Sequence, residues 1–142
     1  MGSVGDDRAE IADRIARLAH AQDSRDWDGV GASFVPDAVY VHPSGRLEGV
    51  DQIVDRTRNA LQVLDASQHL IGSISVTVDG DTATSTAYFQ AQHVREGTPD
   101  GDLYAIAGTY ADAWVRTPDG WRIESRTQTY NWRSGNRDVV AR

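Results

Sequence analysis

Asp23 is the carboxylate whose position the surrounding sequence defines best. Ala12, Ala16, Ala19 and Asp23 follow one another at spacings of four, three and four, so on a continuous helix they share one narrow stripe. Three small side chains leave room above that stripe, and a carboxylate at its end would face the room. The plainer reading is a helix-end aspartate, solvated or hydrogen-bonded to backbone amides. Its poor fit with the negative end of the helix dipole favours a functional reason. His69 is the second group suited to proton exchange near neutral pH. Counting by two along the strand it opens places it with Ile71, Ser73 and Ser75, the more polar row. That argues against a buried position, and a bulge near the strand start would reverse the assignment.

Other chemistries are excluded by residue type. The chain has no cysteine, which removes disulfides, thiolate nucleophiles and iron–sulfur ligation. All 14 basic residues are arginine, so neither a Schiff-base lysine nor a P-loop lysine exists. Asp23, Asp26 and Asp28 lack the downstream glutamate and the loop length of an EF-hand. His42, His69 and His93 have no metal-ligand spacing. No nucleophile elbow and no G-x-G-x-x-G is present. Neither metal nor cofactor is expected.

The elements that must carry these groups read as helices first and strands after. Residues 1–6 look like a loose tail. From Asp7 the apolar residues Ile11, Ile15, Leu18 and Ala19 fall at helical spacing. Asp26 is placed to cap a short second helix, Trp27–Phe34, which Pro36 and Asp37 end. Ala38–His42 reads as a strand closed by a turn at Pro43–Gly45. Gly49 precedes a third helix with Ile53, Thr57, Ala60, Leu61 and Leu64 on one face. Leu70, Ile74, Val76 and Val78 then alternate with polar residues, the pattern of a strand. Asp79–Asp81 is a tight turn, and Thr82–Val94, Leu103–Arg116 and Trp121–Trp132 continue as three more strands. Residues 134–142 read as a second loose tail.

One domain of 142 residues with this order belongs to the α+β class. A twisted antiparallel meander of long strands curls, helices close its concave side, and a cone with an internal pocket is expected. The net charge of −7 repels phosphate backbones, and no arginine cluster interrupts it, so no nucleic acid partner is expected. No apolar run approaches the ~20 residues of a membrane span. The polar, acidic stretch Met1–Glu10 lacks a signal core, and a cytoplasmic location is expected.

Taken in order, Asp23–Asp28, Phe34–Ala38, Gly49, Gln68 with His69, Val78–Asp81, Gly108 with Tyr110, and Asp119–Ile123 resemble the SnoaL-like branch of the nuclear transport factor 2-like superfamily. The resemblance runs from about Asp7 to Trp132. It implies a curved antiparallel sheet wrapped around three helices, a cystatin-like α+β barrel with a deep apolar cavity. Such a scaffold hosts cyclases, isomerases, dehydratases, dehydrochlorinases and non-catalytic binding domains, so activity must be argued from the cavity.

The resemblance also implies roles. Dehydratases and dehydrochlorinases of the superfamily pair an aspartate at the end of the first helix with a histidine at the start of the strand after the third, which Asp23 and His69 match. In such a dyad the carboxylate fixes the tautomer of the imidazole, and the imidazole takes a proton from carbon. Tyr40 and His42 share a strand face and would give polar tips to the cavity wall, and Phe89, Ala91 and His93 alternate together on a later strand as further cavity positions. Ala91 stands where one relative has an additional aspartate. Tyr130 and Trp132 lie where relatives bind a leaving group or an oxyanion. Trp27, Phe34, Trp114 and Trp121 are read as core or subunit-interface residues, and exposed aromatics such as Trp114 point to a homodimer or homotrimer. The function expected is a cofactor-independent dehydratase-type lyase or an isomerase, acting on a small hydrophobic cyclic substrate. A non-catalytic binding module, the small partner of a larger enzyme, or an aldol cyclase is the alternative.

Overall fold

Ser3 and Asp6 start the first helix earlier than its apolar spacing implies. In the computed structural model, which describes residues 2–140, the Asp6 amide donates to the Ser3 hydroxyl (3.1 Å) and the Ser3 amide donates to the Asp6 carboxylate (3.2 Å). This reciprocal cap satisfies two amides that a helix end otherwise leaves unpaired. Helix α1 therefore spans Val4–Asp23, and 4–6 are not a loose tail. Its buried stripe is Ile11, Ile15, Leu18 and Ala19. The second helix, α2, is shorter than expected, Trp27–Gly31, with the Asp26 carboxylate accepting from the Gly29 amide. Helix α3 spans Val50–Leu61.

Six strands follow the order β1 (Phe34–His42), β2 (Gly45–Glu48), β3 (Ala66–Asp79), β4 (Thr82–Val94), β5 (Leu103–Thr117) and β6 (Gly120–Gly135). They form one sheet in the order β2-β1-β6-β5-β4-β3. The sheet is curved and does not close on itself. It is mixed, because β1 lies parallel to β6, whereas the sequence pattern predicts an antiparallel sheet throughout. Two corrections concern β1 and β2. The β1 strand runs through Pro36 and Asp37, and Pro43–Gly45 leads into β2 as a hairpin. Proline is tolerated there where the pairing with β6 shifts register, between Phe34 and Val39. At the other end, Arg137–Val139 forms a 3₁₀ turn and Val139 is fully buried. The part of 134–142 that is described is thus ordered, and Ala141 and Arg142 lie outside the described residues.

The narrow end of the cone is solid. Ile11, Ile15, Leu18, Phe34, Ala83, Trp114, Trp121 and Ile123 form one buried cluster. Trp114 is 1% exposed and so supplies no surface for association. Its indole N–H donates to Ser85 (2.8 Å), and that of Trp121 donates to Asp7 (3.1 Å), so each buried ring keeps its polar atom satisfied. Among the described residues no helix is long and apolar enough to cross a membrane.

Candidate active site

Two bulges decide which side chains reach the interior of the wide end. In β3, Gly72 pairs with Tyr88 and Ser75 with Thr86, so Ser73 and Ile74 together face one partner residue. Ser73 takes a left-handed backbone (φ 49°), and the faces exchange there. Ser67, His69 and Ile71 point inward before the bulge, and Val76 and Val78 after it. This removes the objection that simple alternation raises against His69, and it turns Leu70 outward, 67% exposed. The second bulge lies at Asn131 in β6, where Ala107 pairs with Trp132 but Gly108 with Tyr130. Tyr130 consequently lines the cavity, while Trp132 shares the outer face with Ala107 and is 48% exposed. Trp132 is not a cavity residue.

Asp23 and His69, 46 positions apart, meet where the end of α1 crosses β3. Asp23 Oδ1 accepts from His69 Nδ1 at 2.7 Å, and Oδ2 accepts from the His69 backbone amide at 2.9 Å. The carboxylate grips the ring and the backbone of one residue, which leaves the imidazole little freedom to turn. Ser67 donates to Oδ1 at 3.4 Å. Arg25, itself in a left-handed conformation (φ 62°), reaches Ser67 and the carbonyls of Gln22 and Asp23. Its cation offsets the negative helix end on which Asp23 sits. Burial raises the Asp23 pKa, but the His69 ring and amide outweigh it and hold the carboxyl below its ordinary value. The alanine stripe of α1 does not line the cavity. Gln22 is the α1 residue that does, and Asp23 stands behind His69, not in the open space.

A cavity of about 190 Å³ lies before the His69 ring. Its apolar wall consists of Leu47, Ile53, Ala60, Leu61, Phe89, Ala91 and Ile106, and its polar tips come from Tyr40, His42, Arg56, His93, Tyr110, Gln128 and Tyr130. Phe89 stacks on Tyr110 with ring centres 4.3 Å apart. That stacking needs Gly108, since a Cβ there would lie 2.8 Å from the Phe89 ring and 2.0 Å from the Thr129 carbonyl. His69 pairs across the ladder with Ala91, so a methyl group stands where a larger side chain would fill the space before the ring.

The remaining polar groups are held in defined states. His93, 6% exposed, places Nδ1 3.1 Å from the Tyr104 carbonyl and its ring 6.2 Å from that of His69. Burial pushes its pKa down to about 4, so it is neutral, donates from Nδ1 and keeps Nε2 as an acceptor. Tyr40 donates to the Gln128 side chain, and burial raises its pKa well above the ordinary value. Burial likewise pushes Tyr110 up to about 12, so its hydroxyl remains a donor at neutral pH. Below Tyr110 lies a buried bidentate ion pair, Arg126 with Asp112 at 2.8 and 2.9 Å, whose guanidinium sits 3.8 Å from the centre of the Tyr110 ring. Charge-assisted pairs of this geometry leave neither ion uncompensated.

All six residues expected beside the dyad except Trp132 therefore line the cavity, and the sequence reading missed Gln22, Arg56, Ile106, Tyr110 as a lining residue, and Gln128. Only Tyr110 carried a signal, through its place in the Gly108–Tyr110 pair. Among the described residues no cluster of three or more metal-ligating side chains occurs.

Residues 5–127 match the SnoaL-like domain. The chain belongs to the SnoaL-like family. This SnoaL-like protein is 36% identical over 127 residues to the uncharacterized protein Rv2910c of Mycobacterium tuberculosis, a match covering 87% of this chain and 84% of that one. A structure from Novosphingobium aromaticivorans, provisionally described as an aromatic ring hydroxylase, is 28% identical with a TM-score of 0.86, covering 98% of this chain and 99% of that one. Two more distant structures share the fold. A provisional scytalone dehydratase from the same species is 18% identical (TM-score 0.80, 89% and 85% covered). A hexachlorocyclohexane dehydrochlorinase is 17% identical (TM-score 0.79, 89% and 86% covered). The fold is shared with a nuclear transport factor 2-like superfamily protein from Salmonella enterica.

Proposed function

We propose that this SnoaL-like protein is a cofactor-independent lyase or isomerase that removes a proton from carbon in a small hydrophobic cyclic substrate. The observation that carries the proposal is the Asp23–His69 contact of 2.7 Å at the cavity wall. With Nδ1–H donated to Asp23, the lone pair of His69 lies on Nε2, the nitrogen free to act as base. The ionised carboxylate behind it stabilises the imidazolium that forms. In an elimination, the C–H electrons become the new double bond as the C–O bond breaks. His69 then returns its proton to the departing oxygen, so water leaves and the dyad regains its starting state. In an isomerisation, the same proton returns to a different carbon. Tyr110 and Tyr130 are placed to donate to the oxygen on which charge develops. His93 is neutral, so its role is to accept a hydrogen bond from a substrate hydroxyl, not to protonate a leaving group.

The test is turnover of a panel of cyclic β-hydroxy ketones, followed by the absorbance of the conjugated product. His69→Ala should lower kcat/KM by at least about a hundredfold with an unchanged circular dichroism spectrum. An unaltered rate on a substrate of the wild-type protein would refute the dyad. The alternative is a binding module or the small partner of a larger enzyme, which would keep the cavity without using the dyad. In that case ligand affinity survives in His69→Ala and no panel member is converted.

We also infer that copies of the chain associate through the outer sheet face. Leu70, Gln90, Ala107 and Trp132 lie in one row across β3 to β6, with Tyr88 beside it, and Leu70, Tyr88 and Trp132 are exposed. The exposed apolar side chains Leu70, Tyr88 and Trp132, close together on one face, support a contact between copies there. Light scattering should give a dimer or trimer for the wild type and a smaller species for Trp132→Arg, and a wild-type monomer would overturn the inference.

A further inference from the structure

The cavity is electrically unlike the protein around it. The chain carries a net charge of −7, yet no aspartate or glutamate lines the cavity, and its one permanently charged lining residue is the cation Arg56. Helix α3 presents Ile53, Arg56, Thr57 and Ala60 at spacings of three and four, so its apolar contacts to the cavity and the Arg56 side chain lie on one face. Among the described residues Arg56 has no carboxylate within ion-pair distance. Its contact is His42, with Nη1 3.2 Å from Nε2.

That contact is chemically incomplete. A neutral imidazole has one acceptor nitrogen, and burial together with the Arg56 charge holds His42 toward the neutral form. Two donors nevertheless approach its two nitrogens: the Ser44 amide at Nδ1 (3.1 Å) and the Arg56 guanidinium at Nε2. If Nδ1 accepts from Ser44, Nε2 carries the hydrogen, and two N–H groups then face each other. An anionic oxygen seated beside both would accept from each and neutralise a cation that otherwise has no counter-charge. Guanidinium groups are suited to this, because their fork matches the two oxygens of a carboxylate.

We propose that Arg56 and His42 form an anion-binding subsite, and that the natural substrate is a small cyclic carboxylic acid whose ring enters the cavity while its carboxylate stays beside Arg56. The proposal rests on the reading of this cavity as the substrate site but not on the dyad's chemistry. A volume of about 190 Å³ suits one or two rings, given that ~150 Å³ admits benzene.

The experiment is calorimetric titration of the full chain with 2-naphthoate and with 2-naphthamide, which match in shape and differ in charge. Wild-type protein should bind naphthoate at least about tenfold more tightly, the equivalent of ~1.4 kcal/mol. Arg56→Met should bring the two affinities within about twofold, chiefly by weakening naphthoate binding. His69→Ala should keep the tenfold preference, so a failed dyad and a failed subsite give different results. Equal affinities in the wild type, a preference that survives Arg56→Met, or no binding of naphthoate at millimolar concentration overturns the proposal. Competition of inorganic phosphate with naphthoate at equal concentrations would also overturn it, by showing a general anion site with no claim on the ring.

Discussion

Strands β4 and β5 run through both ends of the cone, and their inward side chains change character on the way. At the narrow end Ala83 faces Trp114 across the ladder, and Trp114 faces Ile123 on β6, so large and small residues alternate and leave no space. At the wide end Phe89 faces Gly108, Ala91 faces Ile106 and His93 faces Tyr104, and Ala91 leaves open volume before the His69 ring. The Asp112–Arg126 pair divides the two. One sheet thus packs a solid core with one half and lines a cavity with the other.

The sharpest way to test this contrast is to remove volume from the solid end. Trp114→Ala should cost about 3–5 kcal/mol by the cavity it leaves, read as a fall in the urea midpoint. A cost below ~1 kcal/mol would show the narrow end to be loosely packed after all.

Acid titration should act on the hollow end first. The folded-state pKa of His93, about 4, lies below the ordinary imidazole value of 6.5. As pH falls through 6.5 the unfolded chain takes up the proton and the folded chain does not. Stability is therefore complete above pH 6.5 and declines down to about pH 4, by on the order of 3 kcal/mol. The carboxyl of Asp23 is shifted in the same direction, lowered in the folded state, so its contribution is also lost with acid, but only as pH falls through and below the ordinary carboxylate range. Stability measured from pH 7 to pH 4 should show a slope that His93→Gln flattens. An identical slope in the variant would assign it elsewhere.

The smallest expected change in stability comes from filling the open end. Ala91→Leu places a side chain in space that is already empty, so stability should shift by less than ~1 kcal/mol, while naphthoate binding is lost. A large destabilisation would mean that the cavity wall has no room to spare.

Much of this was readable from residue spacing. The helical run Ile11, Ile15 and Leu18, the turn at Asp79–Asp81 and the bounds of Thr82–Val94 all follow from periodicity and turn chemistry, because both act over a few residues. Tyr40, His42, Phe89, His93 and Tyr130 follow from the resemblance to the SnoaL-like branch, and the cavity brings them together. Arg56 and Gln128 gave no such signal. An arginine on a helix and a glutamine in a strand are ordinary surface residues until the fold shows what lies opposite.

The order of elements, the α+β class and the absence of thiol or lysine chemistry belong to the sequence alone, since each depends on local pattern or on residue type. Tertiary structure decided the inward turn of His69, the outward turn of Trp132, the parallel seam between β1 and β6, and the meeting of Asp23 with His69. A bulge shifts the face of every residue beyond it, and whether a strand bulges is settled by the register of its neighbour, which lies too far along the chain for any periodicity to report.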